Sequence, residues 1–354
     1  MATKVLVAGG AGYIGCKLVP ALLQKGYRVK VFDKLLFGDE GLAAVRDMIE
    51  LEVGDLINIR QNSLAGVDAV INLSGLSNDP TAEYNPEANR LMNTEATLHL
   101  ARLCKTMGIR RYIFASSCSI YYSLTPCDDL RDEDHPVDPK APYSYSKYQA
   151  ERGLLELTDA RFCPVMLRKG TVFGQSPRMR YDLVVNVFTR DAFNNRRVIL
   201  HNKGKMWRPM LNINDAVRAY LATLELPEDK IRGKIFNVLN DNYQVRQIAY
   251  QVRHTLEVLK GVRIDLQLQE IGPVRSYRVD NSRFREVSGL RFENNMGASV
   301  EEMWDALEDG LDFTNPIHYN LPWLELLLDM ERRLKLMDYT VLSSPRPALA
   351  RRLA

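Results

Sequence analysis

Residues that often announce a function are scarce in this chain. Cysteine occurs five times in 354 residues, at positions 16, 104, 118, 127 and 163, with no Cys-x-x-Cys pair. That odd count, with no histidine-rich spacing beside it, supports neither a disulfide framework nor a zinc site, and it suits a reducing cytoplasm. No apolar run approaches the ~18 residues of a membrane span, and the first residues lack the charged and apolar regions of a secretory signal. The expectation is a soluble, cytoplasmic protein without a membrane or metal partner. An excess of one charge is missing as well: 47 Lys and Arg stand against 44 Asp and Glu, a net charge of +3. Both signs are mixed along the chain, so nucleic acid is not an expected partner. Internal repeats and low-complexity tracts are also lacking.

What is present is a core-forming composition, 46% hydrophobic with 21 Gly and 16 Pro. The length suits one large α/β domain or two closely joined ones. Short β-branched runs at Val5–Ala8, Val29–Asp33, Leu51–Val53, Ala69–Leu73, Tyr112–Ser116 and Pro164–Arg168 alternate with helical stretches at Ile14–Lys25, Asn85–Met107 and Ser144–Leu157. Continuous apolar strands separated by helices imply crossover connections and a doubly wound parallel α/β sheet. Beyond residue 170 the rhythm loosens. Gly170–Arg180 reads as a loop, and Leu183–Asn194, Ile213–Leu226 and Arg246–Leu259 read as helices. We therefore expect a doubly wound, Rossmann-type unit over 1–170 with a returning element near 213–238, a smaller substrate lobe from 171–212 and 239–314, and a C-terminal packing helix and tail over 315–354. Ser299–Glu302 has the form of a capping box for a helix over about Val300–Leu311. Pro322 opens an apolar stretch, Trp323–Met337, read as a packing helix at a subunit interface, and Arg346–Ala354 reads as a loose tail.

Directly after the first strand comes Gly9-Gly10-Ala11-Gly12-Tyr13-Ile14-Gly15, leading into a helix. Glycines at 9, 12 and 15 permit a tight turn, let backbone approach a pyrophosphate, and allow close helix–strand packing. The second strand ends at Asp33, where a carboxylate can accept hydrogen bonds from both hydroxyls of an adenosine ribose. It would repel a 2′-phosphate, so NAD is expected over NADP, although Lys34 beside it weakens that inference. Asp55, after the third strand, is a candidate for the adenine amino group.

A second constellation is Tyr143-Ser144-Tyr145-Ser146-Lys147. Tyr143 and Lys147 are spaced i, i+4 and share one helical face. A neighbouring ammonium favours a phenolate and moves a tyrosine toward acid–base work. Alone the pattern is common on surfaces; the upstream glycine turn gives it meaning. A hydroxyl partner is expected at the end of a preceding strand, where Ser116 and Ser117 close the fifth run, at the ligand crevice of an open parallel sheet.

Together these residues resemble the extended short-chain dehydrogenase/reductase family, the NAD-dependent epimerases and dehydratases of nucleotide sugars. The resemblance runs over about residues 3–310 and includes Asn93-Thr94-Glu95, Ser116-Ser117 with Tyr121, Tyr143 with Lys147 and Glu151, Arg168 with Gly174, and Trp207-Arg208-Pro209 with Asp215. It implies Ser117, Tyr143 and Lys147 as catalytic residues, Ser117 because it lies four residues before Tyr121. It implies NAD held by Gly9, Gly12, Tyr13, Ile14, Gly15, Asp33, Asp55, Leu56, Leu73, Ser74, Asn93 and Lys147. It implies a nucleoside-diphosphate sugar held by Ser117, Cys118, Ser119, Thr171, Arg180, Asn186, Arg208 and Arg275, and a homodimer.

Within the family, 4,6-dehydratases carry Asp-Glu after the catalytic hydroxyl, and UDP-glucuronate decarboxylases carry Glu two positions after it. This chain has Cys118 and Ser119 instead. Epimerisation at C4 needs neither carboxyl group and is the expected reaction. Dehydratase, 3,5-epimerase and 4-ketoreductase are alternatives, and a non-catalytic dinucleotide sensor is an alternative of another class. The cysteine of GDP-mannose 3,5-epimerases aligns with Ser119, so Cys118 reads better as a buried, inert thiol. Arg168-Lys169-Gly170-Thr171 departs from the family's Arg-x-Phe-Asn, and Arg178 and Arg180 in the following segment are either a diphosphate clamp or solvated charges.

Overall fold

The computed structural model describes residues 2–122, 129–271, 275–293 and 296–336. Its centre is a sheet of seven strands: β1 (Lys4–Ala8), β2 (Arg28–Asp33), β3 (Glu50–Val53), β4 (Ala69–Asn72), β5 (Arg111–Ser117), β6 (Cys163–Lys169) and β7 (Lys234–Val238). The order is β7-β6-β5-β4-β1-β2-β3, and every pairing is parallel. Chain order reverses between β1 and β4, the place where open α/β sheets bind ligands.

Among the described residues the helices of ten residues or more are α1 (Gly15–Gln24), α2 (Ala96–Thr106), α3 (Pro142–Leu157), α4 (Val184–Asn195), α5 (Ile213–Glu225), α6 (Val245–Lys260), α7 (Met296–Glu308) and α8 (Asn320–Lys335). The apolar runs are continuous because both faces of the sheet are covered. Val5 and Val7 of β1 join a core that includes Leu18 and Leu22 of α1, while Leu6 and Ala8 join the opposite core with Leu100 of α2 and Leu154 of α3. β7 lies beside β6, so the chain returns to the sheet at Lys234–Val238.

Three local expectations are corrected. The stretch 85–107 is not one regular helix: Pro86–Arg90 and α2 flank a wider π-type turn at Leu91–Glu95, which rotates Asn93 inward. Segment 170–180 contains a strand, Thr171–Phe173, paired parallel with Met210–Asn212. Ser299 does not cap α7 but lies inside it, where its hydroxyl accepts a hydrogen bond from Asn212 Nδ2 at 2.8 Å. The basic tail Arg346–Ala354 lies outside the described residues.

Candidate active site

A cleft of about 380 Å³ opens along the carboxyl ends of β1, β2, β4 and β5. Its floor is the glycine turn. A Cβ at Gly15 would lie 2.3 Å from Gly10 O, and one at Gly9 would lie 2.7 Å from Ser74 N, so helix, turn and the β4 loop meet at a separation that only glycine allows. At Gly12 an added Cβ meets only Gly9 O, at 3.2 Å, leaving its outer face toward the cleft. Tyr13, Ile14, Asp33, Asp55, Leu56, Leu73 and Ser74 also line the cleft.

Asp33 is pinned by backbone: Oδ1 accepts from Leu35 N at 2.8 Å and Oδ2 from Ala11 N at 3.0 Å. Burial, the largest influence on it, raises its pKa. Lys34 turns away into an ion pair with Asp55, which removes a free cation from the ribose position. A carboxylate at the end of β2 disfavours a 2′-phosphate beside it.

Ser117, Ser119, Tyr143, Lys169 and Thr171 line the other end of the cleft. The structure separates the two adjacent serines. Ser116 is buried and donates to Glu151 Oε1 at 2.5 Å, within a network in which Glu151 also holds Arg168 at 2.7 Å and Arg168 reaches Tyr121 Oη. Ser117 Oγ instead accepts from Ser119 N at 3.2 Å and acts on the Tyr143 hydroxyl, lowering its pKa. Only Ser117 combines an open position with an influence on the tyrosine.

Burial first, and then the Asp79 carboxylate, push the Tyr143 phenol up to about 12, while Ser117 and Arg180 act in the opposite sense. Lys147 differs from its expected place. It is 4% exposed, is not among the lining residues, and lies with Nζ 4.8 Å from the centre of the Phe114 ring. Burial, and next the Lys169 ammonium, draw it down to about 7. The i, i+4 spacing is kept, but in the free protein the ammonium does not lower the phenol.

Three other expected contacts are corrected. Cys118 is fully buried, and its thiol donates to Arg168 O at 3.0 Å instead of meeting a substrate. Burial raises its pKa far beyond the physiological range, so it is no nucleophile. Asn186 is spent internally: it accepts from Gly174 N and donates to Arg180 O and Tyr13 Oη. Asn93 donates to Leu76 O, Asn89 Oδ1 and Ser146 Oγ, tying the loop after β4 to α3 from behind the cleft.

The arginines divide by position. Arg180 grips Asp182 through two nitrogens and reaches Ser77 Oγ. Arg275 pairs with Asp79 and lies over the Tyr122 ring, and Arg208 donates to the Arg275 carbonyl. Both Arg208 and Arg275 line the cleft. Sequence reasoning gave Lys169 no role. It lines the cleft in register with Ser117, and burial, followed by the Arg180 charge, lowers it to about 8. Its only signal is a lysine closing an otherwise apolar run, which the register alone places beside the serine.

The profile of the NAD dependent epimerase/dehydratase family matches residues 5–238. A putative UDP-glucose 4-epimerase of Methanocaldococcus jannaschii is 25% identical over 62% of this chain and 73% of its own length. The human UDP-glucose 4-epimerase is 25% identical over 86% of this chain and 96% of its own. Among solved structures, MoeE5 in complex with UDP-glucose and NAD superposes with a TM-score of 0.74 at 25% identity, covering 87% of this chain and all of that one.

Proposed function

Because the chain belongs to the NAD-dependent epimerase/dehydratase family, we propose that it epimerises a nucleoside-diphosphate sugar, at C4, with NAD as a tightly held cofactor. The observation that carries this reading is that Ser117 and Tyr143 together line the open end of a cleft whose other end is the glycine turn and Asp33. NAD fits these residues: Gly12 leaves room for a pyrophosphate at the N-terminus of α1, and Asp33 presents a carboxylate where a ribose diol is held. Bound there, NAD supplies the acceptor and donor of a hydride, through a transient 4-keto sugar.

The chain's own residues handle the proton and the orientation. Tyr143 holds a proton on Oη at neutral pH and is the general acid–base group for the sugar hydroxyl. Ser117 Oγ, its lone pair engaged by Ser119 N–H, keeps its own hydrogen to donate to the sugar oxygen. Lys169 places positive charge at the same end of the cleft. Arg208 and Arg275 stand where a diphosphate would lie, and Thr171 and Ser119 offer hydroxyls to the sugar.

Epimerisation is favoured over elimination by the carboxylates available. Those lining the cleft are Asp33, Asp55 and Asp79; the first two belong to the dinucleotide end, and Asp79 is paired with Arg275. None is left as an additional acid and base. Incubation with a panel of UDP-, GDP-, dTDP- and CDP-sugars tests the reading. A product of unchanged mass and inverted C4, without net NADH, supports it; loss of water or carbon dioxide refutes it. A sensor would give no turnover on any member.

A further inference from the structure

Arg178 poses an electrostatic problem that the catalytic reading leaves unused. It is 6% exposed and lines the cleft, yet among the described residues no carboxylate lies within ion-pairing distance of its guanidinium. One nitrogen donates to Asn320 Oδ1 at 2.7 Å, the guanidinium carbon lies 3.7 Å from the centre of the Phe37 ring, and Nε is buried with no hydrogen-bond partner. Burial and the nearby Arg180 pull it down to about 9. A buried cation without a counterion is costly, and the ring face offsets only part of that cost. Such a cost is tolerable where a ligand brings the anion.

Position identifies that anion. Unlike Arg180, which turns to Asp182 and faces Tyr143, Arg178 is at the dinucleotide end. A Cβ at Gly41, in the segment after β2, would lie 2.5 Å from Cys16 Sγ and 3.4 Å from Arg178, placing Arg178 over the first turn of α1. It also acts electrostatically on Asp33 and Cys16. The same end carries the helix N-terminus and the glycine turn, which already select a pyrophosphate.

The helix that holds Arg178 lies beyond the region matched by the family profile. Asn320, the first residue of α8, also donates to Ser77 Oγ at 2.9 Å, and Trp323 Nε1 donates to Leu36 O. α8 is thus tied to the loop after β4 and the loop after β2, and Trp323, Leu324 and Leu327 form a wall of the cleft. We propose that Arg178 binds the cofactor's pyrophosphate opposite the glycine turn, and that Asn320 of α8 is the positioning residue that holds it there.

The test measures binding directly, without turnover, so it stands or falls independently of the epimerase reading. Affinities for NAD, ADP-ribose, adenosine and UDP are measured by calorimetry on the full chain and on Arg178→Gln, Arg178→Lys and Asn320→Ala. Loss of a charge-assisted contact predicts about tenfold to a hundredfold weaker NAD and ADP-ribose binding in Arg178→Gln, with adenosine unchanged. Arg178→Lys keeps most of the ADP-ribose affinity, and Asn320→Ala loses a smaller part in the same direction. The ligand-free Arg178→Gln protein melts at the same or a higher temperature, because an uncompensated charge has been removed. An unchanged ADP-ribose affinity, a loss confined to UDP, or a lower melting temperature with equal losses for all four ligands each overturns the assignment. Unchanged ADP-ribose binding in Asn320→Ala overturns the positioning role.

Discussion

Tyr143 carries a proton that burial and the Asp79 carboxylate both hold in place, and it lines the open end of the cleft with Ser117. Tyr143→Phe keeps the ring and removes only that hydroxyl. Its turnover should fall about 10²–10⁴-fold while NAD affinity, measured by fluorescence titration, stays within twofold; retained activity would remove Tyr143 from the chemistry. The tyrosine and its serine were legible because a spacing and a strand end are properties of sequence. What Tyr143 senses was not. The ammonium expected to lower its phenol lies over Phe114, and the charge that acts most strongly on it comes from Asp79, 64 positions away in the chain. The choice between Ser116 and Ser117 likewise depends on Glu151, whose carboxylate captures one hydroxyl and not the other.

At the scale of elements, β6 and α3 are joined by one buried ion pair, Glu151–Arg168, with side chains 1% and 3% exposed, and Ser116 ties β5 to it. Removing one partner strands the other charge, so Glu151→Leu should cost ~3–5 kcal/mol in chemical denaturation, even though leucine fills much of the volume. A loss below 1 kcal/mol would show that the network contributes little. At the end of β6, Lys169 titrates at about 8 rather than the usual 10.5. The unfolded chain then binds its proton more readily than the folded one, so burying the charge costs stability below about pH 8, and the cost fades as pH rises toward 10.5. Lys169→Met should raise the ligand-free melting temperature at pH 7 and show a shrinking advantage toward pH 10; an advantage that grows with pH would contradict this. Strands and helices were read to within a residue or two where both faces of the sheet enforce an apolar run. The π-type turn at Leu91–Glu95 was not, because the same residue pattern serves a regular helix until Asn93 is drawn toward Leu76 and Ser146.

Across the whole molecule, alternation of strand and helix dictated the doubly wound sheet, and the glycine turn with Asp33 marked the cofactor end of its crevice. The place of α8 was beyond sequence reasoning. Its apolar face resembles any interface helix, and only the contacts of Asn320 with Arg178 and Ser77, and of Trp323 with Leu36, put it across the cleft. Trp323, Leu324 and Leu327 thereby wall the same cleft that Gly12, Asp33, Ser117, Arg208 and Arg275 line. The most direct test of this account follows a deuterium placed at C4 of the nucleotide sugar that the protein turns over. Hydride removal and return within one closed site predicts a C4-inverted product of identical mass, with the deuterium retained at C4 and no free labelled NADH. Washout of the label, or a product lighter by water or carbon dioxide, would contradict it.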